Sequence, residues 1–357
     1  METEPNLTSL ITVAPNGRDL DLVALGEILL RLDPENDRIT DARSFTVYDG
    51  GAEYNVARNL AKVFQLRTAI VTALADNEVG RLAENFAKQS GVDTEAIIWR
   101  DPGGDTRNGL YFMGRGFGVR APASTFDRDG TAVSKLTVND IDWVEIFRQR
   151  TARWFHTGGV FSGLSPSTPD VAAEAIRRAR ESGAIVSFDL NYRDSLWKKR
   201  GGRHGAEAVN RELMPMADVV FGVFDFDAKL SGYSDDAFRS AAEKLNDDFP
   251  NLKFIATTLR NVKSASRHDL SGVCYTGGKV FKAADRSDLD VFDRVGSGDA
   301  FASGIIHGLL AGRDPRFAIE CGVALAAQTM TTAGDGSSAT LTEVETLMSG
   351  STADVQR

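Results

Sequence analysis

Cysteine is nearly absent: the 357-residue chain has two, Cys274 and Cys321, far apart and without metal-ligand spacing. That excludes a disulfide framework and a cysteine-based metal site, and it fits a reducing, cytoplasmic setting. Excess positive charge is absent too. The formal net charge is −9, which argues against nucleic-acid or anionic-membrane partners. No apolar run reaches the ~18 residues of a membrane span. The Leu7-to-Val13 segment is short and lacks a basic start, so a signal peptide is not expected. Asn6-Leu7-Thr8 matches a glycosylation acceptor, as a three-residue pattern does by chance. There is no Walker A sequence, no H-E-x-x-H, no C-x-x-C and no G-x-S-x-G. Gly114-Arg115-Gly116-Phe117-Gly118 lacks the spacing and strand–helix context of a dinucleotide fingerprint. Internal repeats and low-complexity segments are also missing.

What is present is an ordinary globular composition, 42% apolar and 25% charged, arranged as alternating strands and helices. Val23 to Leu25 reads as a strand ending at Gly26-Glu27. Ala52 to Phe64 carries Val56, Leu60, Val63 and Phe64 at helical spacing, and Thr68 to Leu74 reads as a buried strand. Val79, Leu82, Ala83 and Phe86 mark a helix closed by Ser90-Gly91. This alternation predicts a parallel sheet. Ile28 to Leu32, Ser44 to Tyr48, Gly109 to Phe117 and Ser124 to Arg128 break the pattern and suggest a small antiparallel sheet, a lid. The α/β pattern resumes with Arg153 to Thr157, a helix from Asp170 to Ser182, and a strand from Ala184 to Leu190. Val219 to Phe221, Phe254 to Thr257 and Val273 to Tyr275 are further strands. Asp314-Pro315 starts a helix, and Thr340 with Glu343 suggests a capping box.

The most informative stretch is Asp293-Arg294-Val295-Gly296-Ser297-Gly298-Asp299, followed by a helical pattern through Leu310. Glycines let backbone N–H groups approach an anion, and a helix N-terminus adds free donors and positive dipole. Alone, Asp299 could simply stabilise a helical first turn. After a Gly-x-Gly, it stands beside an anion hole, the pairing that phosphoryl transfer needs. Asp189, Asn191 and Arg193 stand at a strand's C-terminal end, where open α/β sheets place ligands.

Residues 293–306 resemble the C-terminal signature of the ribokinase-like (PfkB) carbohydrate kinases. Gly50-Gly51-Ala52-Glu53-Tyr54-Asn55-Val56-Ala57 resembles that family's sugar-binding turn. Gly26-Glu27, Asn108-Gly109-Leu110-Tyr111, Phe126-Asp127-Arg128, Asp189-Leu190-Asn191-Tyr192-Arg193 and Thr257-Thr258-Leu259-Arg260 narrow the resemblance to 2-keto-3-deoxygluconate kinases. It covers roughly residues 21 to 345.

The resemblance implies a ribokinase-like α/β fold, a mostly parallel sheet flanked by helices with a small β-sheet lid. One domain would span 21–345, with lid segments at about 28–50 and 107–135 and flexible tails at 1–20 and 346–357. It implies a kinase using ATP and Mg²⁺ to phosphorylate the terminal hydroxyl of a sugar acid. Asp299 would be the base, with Gly296, Ser297 and Gly298 forming the anion hole. Gly51, Asn55, Tyr111, Arg128, Arg193 and Asp335 would face the sugar acid, whose carboxylate suits arginine. Asn191, Thr258, Arg260 and Val295 would serve the nucleotide. A homodimer through the lid is expected.

Three departures stand out. Arg294 replaces a small residue or proline, and Phe126 replaces a tyrosine. Val223 and Phe226 occupy the positions of the N-x-x-E that helps organise magnesium, leaving Asp225 and Asp227 as metal candidates. A kinase of a neutral sugar of fructose or ribose type stays open beside this reading. So does a non-catalytic sugar-acid-binding protein on the same fold.

Overall fold

The computed structural model describes residues 11, 13, 17–103 and 105–350. Most of the expected tails and the Asn6 acceptor lie outside these residues. Within the expected N-terminal tail, Ile11 is buried in a core, and Arg18 donates to the Ser182 carbonyl at 2.8 Å.

The alternating segments build one large sheet. Its strand order is Lys279–Lys282, Arg267–Thr276, Phe254–Ser264, Val219–Phe221, Ile185–Asp189, Ala152–Gly158, Leu20–Leu25, Thr68–Ala75, Val92–Asp93. From Phe254–Ser264 onward every neighbouring pair is parallel, and Arg267–Thr276 returns antiparallel. Successive strand side chains point to opposite faces. Leu22 and Ala24 therefore enter one core while Val23 and Leu25 enter another. Helices Ala52–Phe64, Ser297–Leu310 and Pro315–Thr329 cover the first, and Thr168–Glu181 and Asp235–Asp248 the second. Each large buried apolar side chain contributes about 1.5–3 kcal/mol, so both layers hold the strand ends firmly. Strand order reverses at Leu20–Leu25, the kind of point where such sheets bind ligands. Among the described residues, no helix is long and apolar enough to cross a membrane.

The smaller sheet is the lid, in the order Thr46–Gly50, Leu29–Asp33, Gly109–Gly114, Ala123–Asp127. Its outer pairs are antiparallel but its central pair is parallel, unlike the wholly antiparallel sheet the sequence suggests. A parallel pair needs a long crossover, and residues 51–108 provide it by passing through the main sheet. The Ala123–Asp127 strand is exposed along its length. The lid's hairpin tip rests on the turn of the long Phe254–Thr276 hairpin. There Gly118 N–H donates to Ser266 Oγ at 2.9 Å, and Ala265 N–H to the Gly118 carbonyl at 3.0 Å.

Candidate active site

Two helix N-termini meet at the sheet's C-terminal edge. Ala52–Phe64 starts after Gly51, at φ 142°, and Ser297–Leu310 after Gly296, at φ 74°. Only glycine suits these dihedrals. A Cβ on Gly51 would overlap the Glu27 carbonyl oxygen, and one on Gly296 the Asp335 carbonyl oxygen. Neither helix has a side-chain cap, so first-turn N–H groups and positive dipole ends remain for a ligand. Gly298 is exposed, with nothing within 4 Å of where its Cβ would stand, so the backbone is open there. Val295 contributes differently: its N–H donates to Asp293 Oδ1 at 3.1 Å, and its side chain packs on Leu29, Tyr111 and Met113 of the lid.

Asp299 is buried and accepts from Asn55 Nδ2 at 2.7 Å, one first turn reaching the other. One turn further along both helices, Asn59 Nδ2 approaches Ser303 Oγ at 3.4 Å. Burial raises the Asp299 carboxyl well above its usual range; the Asn55 hydrogen bond and the Arg193 charge work the other way. A raised carboxyl is a stronger base once ionised. Three more acids interact around Asp299, with Asp189 acting on Asp299 and both Asp189 and Glu27 acting on Glu53. Burial pushes Glu27 and Glu53 up to about 7 and Asp189 to about 6.

Arg193 is exposed, and its guanidinium makes no hydrogen bond or ion pair among the described residues. Its charge nevertheless acts on Asp189 and Asp299. Arg128 is buried, 3.4 Å from Glu27 and 4.6 Å over the Phe126 ring. Phe126 stacks in turn on Tyr111, with centroids 5.2 Å apart, so the aromatic that lacks a hydroxyl serves as a spacer. Tyr111 donates its hydroxyl to Asp335, which places both residues in one lid contact.

Two residues before Asp299, Ser297 Oγ accepts from Arg260 Nη2 at 2.7 Å. Burial, then the charge of Arg294, lowers the Arg260 pKa to about 10. Thr258 precedes it by two on the same strand. Asn191, at φ 20°, turns back so that its N–H donates to Asp189 Oδ1 at 3.1 Å.

Sequence reasoning does not single out Arg31. It stands between Leu30 and Leu32, where alternation reads it as solvent-facing. It is wholly buried, ion-paired to Asp33 at 2.7 Å, Asp293 at 2.5 Å and Asp335 at 3.0 Å. Glu53 is missed similarly, because an acid in a first turn reads as a dipole partner. Here it is buried and accepts the Phe161 N–H at 3.0 Å.

Val223 and Phe226 pack against the second core, Phe226 edge-on to Phe238 at 5.3 Å. Asp225 and Asp227 are exposed, and Asp227 lies 3.3 Å from Lys229. Among the described residues, no three His, Cys, Asp or Glu side chains group to hold a metal ion.

The chain is 30% identical over 338 residues to a 2-dehydro-3-deoxygalactonokinase of Haloferax volcanii, covering 94% of this chain and 99% of that one. A 5-dehydro-2-deoxygluconokinase of Geobacillus kaustophilus is 28% identical over 87% of each chain. The crystal structure of a Thermotoga maritima 2-dehydro-3-deoxygluconokinase superposes with a TM-score of 0.84 at 32% identity, covering 93% of this chain and 100% of that one. Residues 19–342 match the pfkB family carbohydrate kinases. Uncapped helix N-termini with a buried carboxylate in the first turn suit phosphoryl transfer, and the chain belongs to that family of sugar kinases.

Proposed function

We propose that this kinase transfers the terminal phosphoryl group of ATP to the terminal hydroxyl of 2-keto-3-deoxygluconate or a close sugar acid. The observation that carries the substrate class is Arg193, an exposed guanidinium with no hydrogen bond or ion pair among the described residues, whose charge acts on Asp299. The two relatives named for 2-dehydro-3-deoxy sugar acids support it. Asp299 takes the hydroxyl proton as the oxygen attacks phosphorus, and the bond from phosphorus to the ADP oxygen breaks. The N–H groups of Ser297, Gly298 and Asp299 hold the charge on the transferred group. Gly51, Asn55, Tyr111, Arg128 and Asp335 shape the sugar side. Arg260, Thr258 and Asn191 serve the nucleotide.

Magnesium fits this site as an ion carried by the nucleotide. Mg²⁺ keeps several waters and needs few protein ligands, and Asp225 and Asp227 are exposed for that task. Its chemistry would be charge neutralisation on the phosphates. The exposed Ala123–Asp127 strand suits pairing with a second copy, which sedimentation tests. The buried, unpaired Cys274 and Cys321 fit a reducing compartment.

One observation favours a neutral sugar instead: Glu27 already engages Arg128. A coupled assay with ATP and graded Mg²⁺ across 2-keto-3-deoxygluconate, its galactonate epimer, fructose and ribose separates the readings. One charged hydrogen bond is worth about 1.5–3 kcal/mol, so the sugar acids should lead in kcat/KM by roughly tenfold or more. Equal or better turnover of fructose or ribose refutes the proposal.

A further inference from the structure

We propose that Arg31 is a positioning residue for phosphoryl transfer, locking the sugar lid to the loop that builds the anion hole. This rests on the kinase reading above.

Arg31 belongs to the lid strand Leu29–Asp33, and two of its three carboxylate partners belong to the far end of the chain. Nη2 meets Asp293 Oδ2 at 2.5 Å, and the other Asp293 oxygen accepts the Val295 N–H at 3.1 Å. Nη1 meets Asp335 Oδ1 at 3.0 Å, and the other Asp335 oxygen accepts the Tyr111 hydroxyl. The Asp335 carbonyl in turn lies against Gly296. A second lid arginine works alongside. Arg115 Nε is 3.1 Å from Asp33, and its guanidinium sits 4.6 Å over the Phe292 ring. Phe292 and Asp293, the last residues before the Arg294-to-Gly296 turn and the helix that follows it, are thus both held from the lid.

The chemistry favours geometry over stability as the purpose. Buried ion clusters are costly to desolvate, and apolar packing often replaces them without loss. A guanidinium, unlike an ammonium, fixes its partners' directions through a rigid planar fork. Three carboxylates arranged on one fork set the lid strand, the Asp293 turn and the Asp335 turn relative to each other. Moving the lid then moves Val295 and Gly296, and with them the N–H groups over the transferred phosphoryl.

The test compares Arg31→Lys, Asp293→Asn and the double variant with the unaltered protein. The readouts are kcat, the KM for ATP and for the sugar acid, and amide hydrogen exchange of residues 293–299. Lysine keeps the charge and loses the fork. Arg31→Lys should lower kcat by about tenfold or more with both KM values within roughly twofold, because misplaced reacting groups slow the chemical step. Exchange should rise in 293–299. The double variant should lose little beyond the larger single loss, as coupled residues do. Full kcat with only a lower Tm overturns the proposal, as do additive losses or unchanged exchange in that loop. If Arg31→Lys does not fold, Asp33→Asn removes one carboxylate at the lid end and is read in the same way. If the unaltered protein phosphorylates none of the four compounds, the kinase reading fails, while the exchange comparison still decides whether Arg31 sets the loop.

Discussion

Replacing Glu53 by Gln should flatten the pH dependence of stability, in a direction set by burial. Glu53 is 1% exposed. One carboxyl oxygen accepts the Phe161 N–H at 3.0 Å, and the other has no hydrogen-bond partner among the described residues. Burial raises its pKa from 4.5 to about 7, and the charges of Asp189 and Glu27 add to the rise. The Phe161 N–H opposes it. Between those two values the folded protein keeps a proton that the unfolded chain releases. More protons bound in the folded state mean that stability falls as pH rises across this window. A rise from 4.5 to about 7 corresponds to roughly 3 kcal/mol, fully lost above the folded value. Glutamine is neutral throughout and keeps an oxygen for Phe161. Scanning calorimetry at pH 5 and pH 8 should show the unaltered protein losing Tm by about 3 °C or more beyond the loss in Glu53→Gln. Glu27 and Asp189 titrate in the same range and leave the variant a residual slope. Equal slopes in both proteins would refute the argument, because Glu53 would then bind its proton equally folded and unfolded.

Asp299→Asn should preserve the fold and lower kcat by roughly 10²-fold or more, the scale of a positioned base; near-normal kcat by coupled assay removes Asp299 from the chemistry. Arg193→Ala should raise the KM for sugar acids by about tenfold or more and spare neutral sugars, since a charged hydrogen bond is lost; an equal loss for both means that Arg193 does not read the carboxylate. Gly296→Ala forces a side chain into a left-handed turn against the Asp335 carbonyl. The dihedral alone costs about 1–2 kcal/mol, so both Tm and kcat should fall. Unchanged kcat would show that the anion hole does not depend on that turn.

Local patterns carried some elements well and failed where distant chain closes over a residue. Val219–Phe221 has the same bounds in sequence and structure, and the Thr340–Glu343 capping box forms. Periodicity starts one helix at Asp170, whereas the structure starts it at Thr168 with Pro169 in the first turn. The Gly-x-Gly-Asp stretch is legible because its chemistry is contiguous. Arg31 is not, because Leu30 and Leu32 suggest a half-exposed strand. Its second environment comes from Asp293 and Asp335, and no local window contains them. Glu53 is polar in a helical first turn for all local purposes, and only the arrival of Gly26 and Phe161 buries it. The central parallel pairing of the lid escapes for the same reason, since strand direction there depends on a crossover through the other sheet.

Arg31 meets Asp335 across 304 residues, and Asn55 meets Asp299 across 244. Synthesis runs from the N-terminus, at about 5–20 residues per second. The ribosome therefore releases the lid strand and the Ala52–Phe64 helix long before their partners exist. Until Asp293 and Asp335 emerge, a buried Arg31 has only Asp33 of its three carboxylates. The lid of a nascent chain accordingly lacks its contacts with Asp293 and Asp335. The same separation makes folding slow, because the decisive contacts close the largest loops. The contacts that join the lid to the Asp293 and Asp335 turns are thus among the last that chain order allows to form.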